Sequence, residues 1–253
     1  MFGYTPRPAH DPHVGIRYAL GTDQKARLNA LGVIDLLPKC PPNRFQDRLG
    51  SCTGQGFGHA SHYLMKQAAA DGLLPDCYSP ASLAIYAWER ELAGTFGEDS
   101  GSTLANGVAT VQDKGIPRED DWPYDESRVF VEPSEATVEH AALRKVVNSH
   151  PLMHDLDDIR HALSMDCPVV VGIPCYESIF SPETSATGIV PEPEPGESIA
   201  GWHCVVVYKH DPFKHQFSFK NWWQGWGIDN VGILSDDYLI SRANEMYALG
   251  AVR

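Results

Sequence analysis

Apolar and polar positions follow a helical period through the first two thirds of this chain and a strand-like period through the last third. From Cys52 to about Asp71 apolar residues recur at helical spacing, and Gly72 closes the run. A second helix is predicted from Ala81 to about Ala93, started by Ser79-Pro80, with Tyr86, Trp88 and Leu92 on its apolar side and Gly94 after it. A third runs from about Thr103 to Lys114 and stops at Gly115, and a fourth is predicted around Ser134 to Val147. A fifth covers Leu156 to Ser164, where Asp155 can cap and Ile159, Ala162 and Leu163 share a face. The texture then changes to β-branched and aromatic runs: Val169–Ile173, Trp202–Tyr208, Gln216–Asn221, Asp229–Leu234 and Met246–Val252. Between the first two lies an acidic Pro/Gly loop, Ser181 to Ser198, long enough to be functional or mobile. Residues 1–44 read as irregular, with one short strand at Val33–Leu37. Helices first and strands later predict an α+β fold, with Ile116-Pro117 and Trp122-Pro123-Tyr124 as the crossover between two lobes.

Composition narrows the function more than the fold. At 253 residues and 43% apolar content the chain can bury a large core in one domain or two lobes. A formal charge of −13 argues against nucleic acid or an anionic membrane as partner. The longest apolar run, Pro168 to Pro174, is far short of the roughly 18 residues of a membrane span. No apolar stretch marks a secretory signal, so a cytoplasmic location is expected, with virion association left open. Six cysteines are dispersed without a CxxC pair, which predicts free thiols and gives no support for a disulfide framework or structural zinc. No cofactor is expected.

Candidate chemistry centres on Gln46-Asp47-Arg48-Leu49-Gly50-Ser51-Cys52-Thr53-Gly54-Gln55-Gly56. A cysteine at a helix start faces the positive end of the macrodipole, a setting that lowers its pKa and favours the thiolate. Such a nucleophile needs a base and an orienter. His203 at the head of an apolar strand and Asn221 at the end of the next can meet if those strands form a hairpin about His210-Asp211-Pro212. His210 is the rival base. Cys52, His59 and His62 also suggest a metal, but Cys52 lies two turns from the histidines and no fourth ligand is indicated.

With these residues in hand, the chain resembles the papain-like cysteine peptidases, in particular their short-prodomain bacterial and phage members. A Gln stands six residues before the cysteine, and Gly201-Trp202-His203-Cys204-Val205 and Lys220-Asn221-Trp222-Trp223-Gln224-Gly225-Trp226-Gly227 match that family's His and Asn segments, in the same order. Lys114-Gly115-Ile116-Pro117-Arg118-Glu119 with Trp122-Pro123-Tyr124 is similar to its connection after the third helix. The resemblance implies a two-lobe fold: a helical lobe over 45–125 carrying the nucleophile, and a β lobe over 126–253 carrying His and Asn as an antiparallel, barrel-like sheet. Residues 1–44 would pack across them and the cleft would lie between, the whole chain forming one catalytic unit. It implies Cys52, His203, Asn221 and Gln46 as catalytic residues, and Ser100, Gly101, Trp202 and Trp223 as a substrate-binding lining for a polypeptide.

Departures from the family pattern bear on substrate preference more than on chemistry. Thr53 stands where an aromatic usually follows the nucleophile, Leu49 replaces a disulfide-forming cysteine, Trp222 replaces Ser, and Cys204 replaces Ala. Two other readings use the same residues: a vestigial fold serving as a structural or binding part, for example of a phage or bacterial assembly, and an acyl transferase or amidase.

Overall fold

The computed structural model describes residues 2–8 and 20–253. Met1 and residues 9–19, part of the region read as irregular, lie outside the described residues. The organising helix is α2, Cys52–Ala70, which packs on the sheet strands β3 (Val169–Tyr176), β4 (Ile199–Asp211) and β7 (Glu245–Val252) and, on its other side, on α3 (Ser82–Ala93). Its sequence carries glycines at 54, 56 and 58, each of which lowers helix propensity by up to about 1 kcal/mol. Their spacing is what allows the packing. A Cβ at Gly54 would stand 2.4 Å from Ser82 O and one at Gly58 2.7 Å from Ser82 Oγ, so α3 sits against bare backbone. On the opposite face a Cβ at Gly56 would meet Cys204 Sγ of β4 at 2.8 Å. Lost propensity is offset by contact that a larger residue would forbid.

The sheet is antiparallel, in the order β2 (Val146–Pro151), β7, β3, β4, β5 (Gln216–Lys220), β6 (Val231–Ser235), with β1 (Ile34–Asp35) added to the far end of β4. The run Val169–Cys175 is buried throughout, because β3 lies between β7 and β4. Strands β5 and β6 alternate buried and half-buried residues, as strands with one face on the core do. Around the sheet lie α1 (Thr22–Ala30), α4 (Leu104–Ala109), α5 (Glu135–Ala142), α6 (Leu156–Ser164), α7 (Pro182–Thr187) and α8 (Asp236–Arg242). Asp155 caps α6 by accepting from Asp157 N and Asp158 N, with Ile159, Ala162 and Leu163 buried on the face expected for them.

Several sequence expectations are corrected. The helix expected to Val147 ends at Ala142, and Val146–Pro151 is an edge strand paired with β7. The stretch read as irregular holds α1, and the loop 181–198 opens with α7, whose Ser181 caps Thr184 N. The third helix widens after Ala109 into a π-type turn over Thr110–Lys114. The second starts after Ala81, because Ser79 is drawn away to hydrogen-bond Arg44, and Leu92 is half exposed rather than on the buried side. The strand expected over 33–37 is only two residues long and gives way to a 3-10 turn at Leu37–Lys39.

A Gly54→Ala substitution tests the packing argument. At an exposed helix position this change stabilises; here the clash is with backbone, and a loss of about 1–3 kcal/mol is expected, read as a lower urea midpoint. An unchanged or raised midpoint would show that α3 can give way.

Candidate active site

The loop before α2 is fixed at several points. Gln46 N donates to Trp222 O (3.1 Å), Gln55 Nε2 donates to Phe45 O (2.9 Å), and Gly50 N reaches both carboxylate oxygens of Asp99 at 3.0 Å. Tyr124 Oη donates to Gln46 O at 2.7 Å. Cys52 therefore enters the first turn of α2 at a set position, wholly buried. Its Sγ accepts a hydrogen bond from Cys204 N at 3.4 Å, which seats the thiol on β4 at the residue adjoining His203.

The β4–β5 hairpin turns through Pro212–His215, close to where the sequence put it, and brings His203 Nε2 to 2.9 Å from Asn221 Oδ1. The same Oδ1 accepts from Trp222 N at 2.7 Å, so the amide is oriented with its oxygen toward the ring. Nε2 then carries the proton in the neutral imidazole, and Nδ1 is left as the acceptor. Nδ1 is buried and has no hydrogen-bond partner among the described residues. Trp223 stacks on His203 with centroids 4.4 Å apart and planes at 26°. Trp222 fills the core beneath, its Nε1 donating to Cys204 O at 2.8 Å.

A thiol lowered by the helix start is the expectation; the structure reverses it. Burial pushes Cys52 up to about 12, with Glu89 acting the same way and the N–H groups of Cys204, Gly3 and Thr53 opposing. Burial likewise holds His203 down at about 3, against the pull of its bond to Asn221. In this dry state both groups are neutral. What dries the site is the N-terminal segment Phe2–Pro8, which crosses it as a strap. Tyr4 pairs in parallel with Ser102: Ser102 N donates to Gly3 O and Thr5 N to Ser102 O, both at 2.8 Å. Tyr4 N donates to Trp202 O at 3.4 Å, and Phe2 rests against Trp223 and Phe180. A Cβ on Gly3 would stand 1.7 Å from Gly50 O, so only glycine passes this point.

Cys52, His203, Asn221, Trp202 and Trp223 thus converge. Gln46 lies fully buried beside them, its Nε2 donating to Leu49 O at 2.8 Å. Gly101 borders the strap, a Cβ there meeting Gly3 O at 2.1 Å, and Ser100 O accepts from Thr5 Oγ1 at 3.4 Å. The residue that pairs with the strap is Ser102, one further on than the sequence reading placed the lining. His210, the rival base, is held between Arg160 and Asp236 at the far end of β4. His59 is bonded to Tyr208 Oη at 2.7 Å, and no group of metal-ligating residues occurs among the described residues. All six cysteines are free, and Leu49 is buried.

Two groups escaped the sequence reading. Glu245 sits under Tyr4, and Glu89 of α3 sits behind Cys52, accepting from Thr53 Oγ1 at 2.5 Å with its other oxygen buried and unpartnered among the described residues. Neither has a local sequence mark beyond an acid in an apolar run.

Fold and site define the class at the level of architecture: the chain has the papain-like fold. Among relatives, the chain is 29% identical over 213 residues to an uncharacterised peptidase C1-like protein of Acanthamoeba polyphaga mimivirus, covering 78% of this chain and 67% of that one. Xylellain, a cysteine protease from Xylella fastidiosa, superposes with a TM-score of 0.85 at 23% identity, over 100% of this chain and 96% of that one. Procathepsin B from Trypanosoma congolense gives 0.72 at 13% identity, over 99% and 86%. No protein-family model matches the chain. Among the described residues no helix is long and apolar enough to cross a membrane.

Burial raises Glu89 from 4.5 to about 8. The neutral acid suits the fold, so its contribution to stability is complete below the unfolded pKa and is lost as pH rises toward about 8. Glu89→Gln removes that loss. The variant should be more stable than its parent near pH 7, by up to a few kcal/mol at about 1.4 kcal/mol per pKa unit, with the gain vanishing toward pH 4.5. Urea midpoints across that range read the difference; a gain independent of pH would contradict the buried-acid account.

Proposed function

We propose that the chain is a cysteine peptidase that hydrolyses peptide bonds through a thioester acyl-enzyme. The observation that carries this reading is the His203–Asn221 bond on Nε2, which leaves Nδ1 buried and unpartnered on the strand residue adjoining Cys52's own contact. In the reading, residues 45–125 supply the nucleophile, residues 126–253 supply its base and orienter, and the polypeptide lies in the cleft between.

Once the strap leaves and water enters, the burial that holds both groups neutral is relieved and the proton moves from Cys52 to His203 Nδ1. The thiolate attacks the scissile carbonyl carbon, forming a C–S bond. The oxyanion is met by Cys52 N–H and the Gln46 side-chain amide, which turns from Leu49 O; one such donor is typically worth about 10²–10³ in rate. His203 gives its proton to the leaving amine as the C–N bond breaks. A water then attacks the thioester with His203 as base, releasing the acid and the thiol. Asn221 keeps the ring in place through both halves. Ser102 with Gly101 and Ser100 on one side, and Trp202 and Trp223 on the other, line the extended substrate as they line the strap.

Cys52→Ala is expected to abolish both peptide cleavage and labelling by a thiol-directed epoxide, with Cys204→Ala retaining both; label that survives Cys52→Ala refutes the assignment. Removing residues 2–8 should raise the labelling rate at least tenfold, since it unburies the thiol. An equal rate would mean that the strap does not govern access. Conjugates formed with added amines, in place of hydrolysis, would favour acyl transfer.

A further inference from the structure

Cys52, Cys204 and Cys175 are fully buried free thiols in one core cluster, on α2, β4 and β3. Cys52 and Cys204 are in direct contact, Cys204 N donating to Cys52 Sγ at 3.4 Å. An N–Cα bond is about 1.46 Å, so Cys204 Cα lies within about 5 Å of that sulfur. Cys204 directs its own sulfur at the same helix face: a Cβ on Gly56, one turn beyond Cys52, would stand 2.8 Å from Cys204 Sγ. Disulfides join residues whose Cα atoms stand about 4.4–6.8 Å apart, a separation that a main-chain contact to the partner's sulfur permits. Burial raises the Cys204 and Cys175 thiols, and a charge on Cys52 raises both further, so the three sulfurs share one field. Cys175 stands opposite Gly201 across the β3–β4 ladder.

We propose that Cys204 is the resolving thiol of Cys52, and that the pair closes into a disulfide when the unstrapped site meets a peroxide. The inference goes beyond the peptidase reading and does not need turnover. The Cys52 thiolate attacks one peroxide oxygen: the S–O bond forms, the O–O bond breaks, and the leaving hydroxide takes the proton held on His203, giving water and a sulfenic acid. Cys204 then attacks the Cys52 sulfur. The S–S bond forms, the S–O bond breaks, and the departing hydroxide takes the Cys204 proton as a second water. The two thiols together lose two electrons, and one peroxide is reduced. A buried thiol of raised pKa attacks slowly, but the sulfenic acid is neutral, so the charge that helps to raise Cys204 is gone when its attack is due. With attacker and target already in contact, closure is intramolecular and outpaces a second peroxide. The bond ties up Cys52 at a reversible stage, whereas an unresolved sulfenic acid goes on to the irreversible sulfinic acid.

The test uses the full chain with Tyr4→Ala and Arg7→Ala, which removes the strap's side-chain bonds to Asn244 and Glu245. This protein is treated with a small excess of hydrogen peroxide, blocked with iodoacetamide in urea, digested and read by mass spectrometry. The expected product joins the Cys52 and Cys204 peptides at the mass of a disulfide, and dithiothreitol releases it. Adding Cys204→Ala should carry Cys52 on to the sulfinic acid, and dithiothreitol should then restore at least about tenfold less epoxide labelling than in the protein that keeps Cys204. A sulfinic acid on Cys52 despite Cys204, a bond from Cys52 to Cys175, or no oxidation at Cys52 overturns the inference. So does recovery as full in Cys204→Ala as with Cys204 present, the mark of a sulfenamide on the main-chain nitrogen of residue 204 in place of a disulfide. A disulfide in a chain that cleaves no peptide upholds the pair and counts against the peptidase reading alone. If the doubly substituted chain fails to fold by circular dichroism, the parent chain is treated in the same way for longer, peroxide entering as the strap opens locally, and the same products decide.

Discussion

The site depends on how closely α2 is pressed between β4 and α3. Bare backbone at Gly54 and Gly58 admits α3, and bare backbone at Gly56 admits the side chain of Cys204. With the helix held at that depth, its first residue reaches the main chain of β4, and Cys204 N bonds to Cys52 Sγ. β4 is one of the most heavily paired strands of the sheet, joined to β3, β5 and β1. The strand that anchors the core therefore also carries His203 and, at the next residue, the N–H bonded to the thiol. A side chain at position 56 would press on Cys204 and shift Cys52 relative to His203 without touching either.

Burial and charge compete at this junction, and burial prevails while the strap is in place. Helix-terminal N–H groups favour a thiolate by an amount that matters when the sulfur is wet. Under Phe2–Pro8 the sulfur is dry, and the loss of hydration exceeds what Cys204, Gly3 and Thr53 N–H return. His203 is held neutral for the same reason. Occlusion of the site and the neutral state of both groups are thus one effect of one segment.

Much of this was legible in the residues. The Gly-closed helices, the cap at Asp155 and the Cys–His–Asn order are local marks with local causes, and the hairpin that joins His203 to Asn221 follows from two short β-rich runs around a Pro-bearing turn. What was not legible needed partners far away in sequence. Val146–Pro151 continues an apolar spacing that reads as helix, and becomes a strand because β7 offers an unpaired edge. Ser79 looks like a cap until Arg44 takes its hydroxyl. Glu245 looks like an ordinary acid before an apolar strand, and only a contact with residues 4 and 7 gives it meaning. The thiol's burial depends on a segment about fifty residues upstream that carries no signal of where it lies.

The crossing of Gly3 between Gly50 and Gly101 sets a gauge for traffic through the cleft. A Cβ on Gly3 would stand 1.7 Å from Gly50 O, and one on Gly101 2.1 Å from Gly3 O. The gap has the width of a single extended main chain, paired along one edge with Ser102. Whatever follows the strap through that gap must arrive as thread and not as fabric: an unpaired loop, a frayed terminus, or a stretch already unfolded. On the peptidase reading, that geometry makes local unfolding of a target the step that precedes its entry.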